Sequence, residues 1–299
     1  MNKLTQIKSK IRYKLFSSVF KSRIKTNVSR GEQLLLMQQY KMMHAQRMNL
    51  QSFRDVGFQE FSGTDEDGIL LYIYALLGTS NKVLVDIGCA TPYGSNSANL
   101  ILNHQWTGLL LDGSHDAVDL TNSFYASFPM VRNHAPIAIK SFVTAENINT
   151  LIKDSGIEGD IDLLSIDIDG VDFWVWKAID VINPRVVIVE YQPVLGAEES
   201  LTVPYKADFY RHDYEINSDP GKIVYAGASL AAFNKLAKDK GYSLVACNTQ
   251  EFNAFFIRDD VNNGKFPEIP LSDCFMHPRT KKAMDEFFIK VKSLPWDNV

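Results

Sequence analysis

The sequence predicts an α/β chain built on a doubly wound seven-stranded sheet, mostly parallel with an antiparallel last strand, preceded by N-terminal helices. Three observations carry this. Five short runs of aliphatic and β-branched residues are separated by helical segments, the pattern of parallel strands buried on both faces. Two later runs are joined by a link too short for anything but an antiparallel pair. Acids and glycines stand where strands end, and sheets of this kind bind ligands beyond the carboxyl ends of their strands.

In order along the chain, residues 1–25 repeat Leu4, Ile7, Ile11, Leu15 and Val19 at three- and four-residue spacing. This suits either a helix lying on anionic lipid or a basic N-terminus that is floppy or packed on the domain. Residues 31–50 form a second helical stretch whose Met37, Met42, Met43 and Met48 suit core or partner packing. An amphipathic helix is expected over 65–77, with Thr64 as N-cap and Asp67 three residues on. Strands follow at Val83–Ile87, Gly108–Asp112, Ile137–Val143, Leu163–Asp167 and Val186–Glu190. Helices alternate with them at Asn96–Asn103, Ala117–Phe128, Glu146–Asp154 and Phe173–Ile182. Residues 192–226 are a Pro/Gly/Tyr-rich insertion without period. Ser229–Lys240 reads as a helix closed by Gly241, Tyr242–Cys247 and Ala254–Arg258 as the closing hairpin with a reversed edge strand, and 279–293 as a last helix.

The 299 residues are 45% hydrophobic and 22% charged, which excludes wholesale disorder. The net charge of −4 conceals an asymmetry. Nine of the 31 basic residues fall in 1–30 with no acid, leaving 22 against 35 acids in the remainder, a body of −13. Such a body argues against nucleic acid as a partner, because phosphate neutralisation needs a basic face. Cys89, Cys247 and Cys274 are too scattered for a disulfide framework or a zinc site and suit reduced thiols in the cytoplasm. The longest apolar run, Ile69 to Leu77, is far short of the roughly 20 residues that span a bilayer, and the basic N-terminus lacks the apolar stretch of a secretory signal.

The first strand ends in VDIGCATPYG, a D-x-G-x5-G pattern. It matches neither the G-x-G-x-x-G cradle of dinucleotides nor a phosphate loop. A zwitterion-bearing nucleoside fits better, with Asp86 near its ammonium and the Gly88 and Gly94 backbone near its amino-acid part; the alternative is a tight turn with Asp86 as a local cap. Asp112 ends the second strand, where a carboxylate can accept both ribose hydroxyls. NAD and S-adenosylmethionine both place a ribose there, and the missing pyrophosphate loop tilts the choice to S-adenosylmethionine.

Seven segments together resemble the FkbM-type class I S-adenosylmethionine-dependent methyltransferases: EDGIL at 66–70, VDIGCATPYGSNSANL at 85–100, WTGLLLDGS at 106–114, FVTAENIN at 142–149, DLLSIDIDGVDFWVWKAI at 162–179, VVIVEY at 186–191 and GYSLVACNTQEFNAFFIRDD at 241–260. SIDIDG followed by a helix is the most specific of them. The first loop is longer than the family's usual D-x-G-x-x-x-G. The resemblance implies a Rossmann-like fold and O-methylation of sugars or other polyols. It divides the chain into a basic N-terminal helical arm at 1–50, a methyltransferase-like domain at 51–260 with 192–226 as a substrate-side insertion, and a C-terminal tail with a helix at 261–299. In such a fold Glu66 and Asp67 would lid the cofactor and Glu146 would meet the adenine, although each also suits an ordinary helix start.

Asp167 and Asp169, with Glu190 from the next strand, bring three acids together. Asp167 may be read three ways: it orients cofactor or substrate, it joins Asp169 and Glu190 around Mg²⁺ or another hard divalent cation, or it caps the following helix. In the insertion, His212 among Tyr205, Tyr210, Arg211, Tyr214 and Tyr225 is the side-chain base best placed for a sugar. Asp167 and His212 are thus the catalytic candidates. The expected function is O-methyl transfer from S-adenosylmethionine to a small-molecule or glycan acceptor, in a protein held near the inner face of a membrane by residues 1–30. The rivals are a nicotinamide-dependent sugar oxidoreductase and a non-catalytic membrane-attached module; a homo-oligomer is left open.

Overall fold

The computed structural model describes residues 28–217 and 224–299. Residues 1–27 of the basic arm and part of the 192–226 insertion lie outside the described residues. Seven strands form one sheet: β1 (Val83–Ile87), β2 (Thr107–Asp112), β3 (Ile137–Lys140), β4 (Gly159–Ile166), β5 (Ile182–Glu190), β7 (Tyr242–Cys247) and β8 (Asn253–Arg258). A two-stranded ribbon pairs β6 (Leu201–Thr202) with β9 (Asp297–Asn298). The order across the large sheet is β3-β2-β1-β4-β5-β8-β7. β1 runs parallel to β2 and β2 to β3, while β8 is antiparallel to both β5 and β7. This is the doubly wound sheet that the sequence predicts, with one adjustment. The reversed strand β8 is inserted between β5 and β7, and β7 forms the edge, because the tight turn after β7 folds the chain back into the gap beside β5.

The chain divides into two compact units. Among the described residues, the first comprises 28–142 and 161–165, the second 143–160 and the described part of 166–299. This differs from the sequence-based division at 50 and 260. The N-terminal helix α1 (Arg30–Ala45) belongs to the first unit: Tyr40 meets Tyr72 edge-on with ring centres 4.8 Å apart, and the buried Gln33 bonds Asn99 and His104. Its Met42 and Met48 are exposed, so these two residues of the methionine cluster are not core. After the short α2 (Phe53–Val56), helix α3 (Glu66–Leu77) is buried along its whole length and not amphipathic as expected, and its N-cap is Asp65 in place of Thr64. α4 (Ala98–His104) and α5 (His115–Ala126) complete the unit.

The second unit contains α6 (Ile148–Asp154), α7 (Asp172–Ala178), α8 (Leu230–Asp239), α9 (Asp259–Asn262) and α10 (Pro278–Val291). α7 stops four residues short of the predicted Ile182, which instead opens β5. Pro184 is tolerated near the start of that strand, where its carbonyl accepts a hydrogen bond from the Tyr242 hydroxyl. The C-terminal segment is no appendage. Val194, Leu195, Val224 and Val291 form a buried cluster with Phe287, Phe288, Leu294 and Trp296 packed on it. Glu251, fully buried in the β7–β8 turn with φ +59°, accepts from the Met276 and His277 N–H groups at 2.8 Å and so fixes the start of α10.

Candidate functional site

In the first unit, the ends of β1 and β2 are joined by hydrogen bonds that a ligand loop needs. Gly88 (φ +83°) turns the chain out of β1, and its N–H and that of Cys89 both donate to the Leu111 carbonyl. The Asp112 carboxylate then accepts from Ala90 N–H at 2.9 Å and from Ser114 N–H at 2.7 Å, one donor on each oxygen. Both oxygens are thereby held at the strand end and keep lone pairs for further donors, which is what a vicinal diol requires.

Asp86 acts on its own chain. It is 3% exposed and accepts from the hydroxyls of Ser95 at 3.0 Å and Ser97 at 2.6 Å. Burial pushes its carboxyl up, the serine hydroxyls pull it back, and the nearby Asp112 charge adds to the rise. These bonds tie the far end of the β1–α4 loop to the strand that precedes it, the local role that the sequence left as the alternative to an ammonium contact.

Glu66 and Asp67 are likewise bound to their own chain. Asp67 Oδ2 collects the N–H groups of Glu60, Phe61 and Ser62 at 2.6–2.9 Å, and Glu66 accepts from the backbone N–H and hydroxyl of Thr64. Burial pushes Asp67 up to about 6 against the pull of those three donors. The nest has a consequence for the loop: Phe61 carbonyl accepts from Gly94 N–H at 2.6 Å, and Phe61 stacks on Tyr93 with ring centres 5.9 Å apart. Asp67 and Gly94 (φ +112°) therefore position the loop between β1 and α4.

In the second unit, carboxylate oxygens of Asp167, Asp169 and Glu190 lie within 4.8 Å of one another. Buried Asp172 shapes the approach: its two oxygens accept from Ile168 N–H and Gly170 N–H, each at 2.8 Å, which accommodates Asp169 at φ +52°. Asp169 is ion-paired to Arg211. Burial drives the Glu190 carboxyl well above its ordinary range, reinforced by the Asp167 and Asp172 charges and by a hydrogen bond with Asp167. Asp167 and Glu190 thus form a hydrogen-bonded carboxyl pair in which burial and the neighbouring acids disfavour charge on Glu190. The oxygen-only donor set fits a hard cation, which would have to compete with Arg211 for Asp169.

His212 is exposed beside this cluster's partner: its Nε2 accepts from Arg211 Nε at 3.2 Å, and its ring tilts against Tyr210. Exposed Glu146 accepts from the Tyr205 hydroxyl, which holds its carboxyl below the ordinary value. Trp176 is core, whereas Trp174 donates from Nε1 to the Val203 carbonyl at 2.8 Å.

A cavity of about 500 Å³ opens onto Asp169 and Glu190. Its walls are the segment after β5, the β7–β8 turn and one face of α10. Sequence reasoning placed none of the last two at the site. The composition of 278–291 signals a helix, but nothing local signals that it meets β5.

No protein-family model and no curated protein matches the chain. Among solved structures it is similar to an O-methyltransferase from Bacillus cereus bound to S-adenosylhomocysteine, with 14% identity over 74% of this chain and 88% of that one and a TM-score of 0.41. It is also similar to the magnesium protoporphyrin IX methyltransferase of Synechocystis, with 13% identity over 64% and 81% and a TM-score of 0.40.

Proposed function

We propose that the chain is an S-adenosylmethionine-dependent O-methyltransferase, with the FkbM-type resemblance of its motifs pointing to a sugar, glycan or related hydroxylated metabolite as acceptor. The observation that carries the reading is Asp112: a carboxylate at the end of β2, held by one N–H on each oxygen beside the positive-φ turn at Gly88. That arrangement fits a ribose diol, and the chain lacks the pyrophosphate cradle of dinucleotide enzymes. The first unit supplies the cofactor residues, Asp112 and the Gly88 backbone, on a loop that Asp86, Asp67 and Gly94 position.

S-adenosylmethionine, when bound, supplies an electrophilic methyl group on a sulfonium. Acid–base chemistry is assigned to the acids that follow β4 and end β5. Asp167, hydrogen-bonded to Glu190, is the base that would take the proton of the acceptor hydroxyl as the methyl group passes from sulfur to that oxygen. His212 is the second base candidate, reached from the same cluster through Arg211. Where Mg²⁺ or a similar cation is taken up, Asp167, Asp169 and Glu190 would hold it, and it would acidify a hydroxyl there.

Thermal unfolding with S-adenosylhomocysteine and with NAD tests the reading. A ligand at 100 times its Kd raises stability by about 2.7 kcal/mol. Stabilisation by the first ligand, lost in Asp112→Ala, is expected. Stabilisation by NAD alone would favour the oxidoreductase, and by neither, a non-catalytic module. Asp167→Asn should lower turnover by roughly 10²-fold or more while leaving cofactor binding intact.

A further inference from the structure

The cavity against α10 has a chemistry that the methyl-transfer reading leaves unassigned. Its lining includes Asp169 and Glu190, two of the three clustered acids. It also includes the amides of Gln192 and Gln250 and the rings of Phe252 and Phe287, groups that suit a hydroxylated ring with polar edges and apolar faces. At about 500 Å³ the space takes a molecule of one or two sugar rings.

The charges lining this cavity are almost all compensated. Asp169 is paired with Arg211, Glu190 is hydrogen-bonded to Asp167, and Lys282 is bound to Glu286 at 3.5 Å one helical turn on. Arg279, in the first turn of α10, is the exception: it has no ion-pair partner among the described residues. Its backbone N–H is spent on His277 Nδ1, so the capped helix start holds the residue in place and leaves the guanidinium for a ligand. A guanidinium presents a planar fork that matches a carboxylate or phosphate with two parallel hydrogen bonds. The placement of α10 is in turn set by Glu251, whose buried carboxylate grips the Met276 and His277 N–H groups.

We propose that this cavity is the acceptor site and that the acceptor is a polyol bearing a carboxylate or phosphate, bound by Arg279 at the rim while a hydroxyl lies against Asp169 and Glu190. The acceptor role rests on the methyl-transfer reading; the anion site does not.

Calorimetric titration of the full chain, without cofactor, with D-glucuronate, D-glucose 6-phosphate and D-glucose tests it. At least one of the two anions should bind tenfold or more tightly than glucose, and which one does so distinguishes carboxylate from phosphate. Arg279→Gln should abolish the preference, and Arg279→Lys, which keeps the charge but not the fork, should keep part of it. Glucose binding as tightly as both anions, no binding by any of the three, or unchanged anion affinity in Arg279→Gln would overturn the proposal. S-adenosylhomocysteine titrated into the same preparation reports on the methyl-transfer reading separately: anion binding without it supports the anion site and removes only the transfer step.

Discussion

Carboxyl groups of this chain differ less in kind than in what surrounds them. Asp112 has one N–H on each oxygen, Asp86 two serine hydroxyls, Asp67 three backbone donors on one oxygen, and Glu190 another acid. Each setting makes its own prediction. In Asp167→Asn the Asp167 charge on Glu190 disappears, leaving burial and the Asp172 charge to hold its value up, so Glu190 should ionise at lower pH; an NMR titration of its side chain that is unmoved would contradict the coupling of the two acids. Asp67→Ala leaves the N–H groups of Glu60, Phe61 and Ser62 without their acceptor, at about 1–3 kcal/mol for each one left buried, and chemical denaturation should show a loss of several kcal/mol. The end-of-strand acids were legible in the sequence because strand ends are local features. Which of them face a ligand and which face their own loop was not, since Ser95, Ser97 and the 60–62 turn find Asp86 and Asp67 only after folding. Glu251 and Arg279 were invisible for the same reason: the contact between the β7–β8 turn and the start of α10 links residues 25 or more apart in sequence.

Among the elements, α3 and α1 show how packing overrides pattern. The run EDGILLYIYALL reads as amphipathic from its acidic start, yet both acids are consumed by the preceding turn and every residue is buried. Gly68 makes this possible: a Cβ there would lie 2.3 Å from Phe58 N and from Val56 O. Gly68→Ala must push the segment at 56–58 off the helix, and a loss of about 3 kcal/mol or more by thermal unfolding is expected. α1 is held by polar contacts. His104 Nε2–H donates to Gln33 Oε1 at 2.7 Å, and burial together with the Lys82 and Arg30 charges lowers the imidazole to about 4. The folded chain therefore binds fewer protons than the unfolded one between pH 6.5 and 4, so this contribution is complete above pH 6.5 and lost as pH falls through that window, about 3 kcal/mol in all. Asp67 has the opposite sign. Its folded value near 6 exceeds the ordinary aspartate value of 3.8, so its contribution declines as pH rises from 4 to 6, again by about 3 kcal/mol. The two nearly cancel in the wild-type chain. Stability measured from pH 4 to 6.5 should be almost flat for these groups, should rise with pH in Asp67→Asn, and should fall with pH in His104→Gln; parallel curves for the two variants would refute the opposed pair.

For the molecule as a whole, the strand order and the reversed strand were legible because alternation of buried runs and helical segments repeats over some 180 residues, while the compact units were not, because their boundary passes through β4 and depends on packing. Charge is the other property of this scale. Nine basic residues and no acid occupy 1–30, against −13 for the remainder, and no helix of the described residues is long and apolar enough to cross a membrane. A basic segment near an anionic bilayer gains about 1 kcal/mol per Lys or Arg close to the surface, and that gain is screened within a Debye length of roughly 8 Å at physiological salt. The acidic remainder is repelled by the same surface, so attachment should depend wholly on the arm and weaken steeply with salt. Co-sedimentation with phosphatidylserine vesicles should therefore be lost on deletion of residues 1–27 and on raising salt to 0.5 M. That deletion stops short of Val28, whose N–H and carbonyl bind Glu60 and Gln33, so the α1 contacts and cofactor affinity should persist. Vesicle binding that survives the deletion would assign attachment to the body, and loss of S-adenosylhomocysteine binding with it would show that the arm serves the fold.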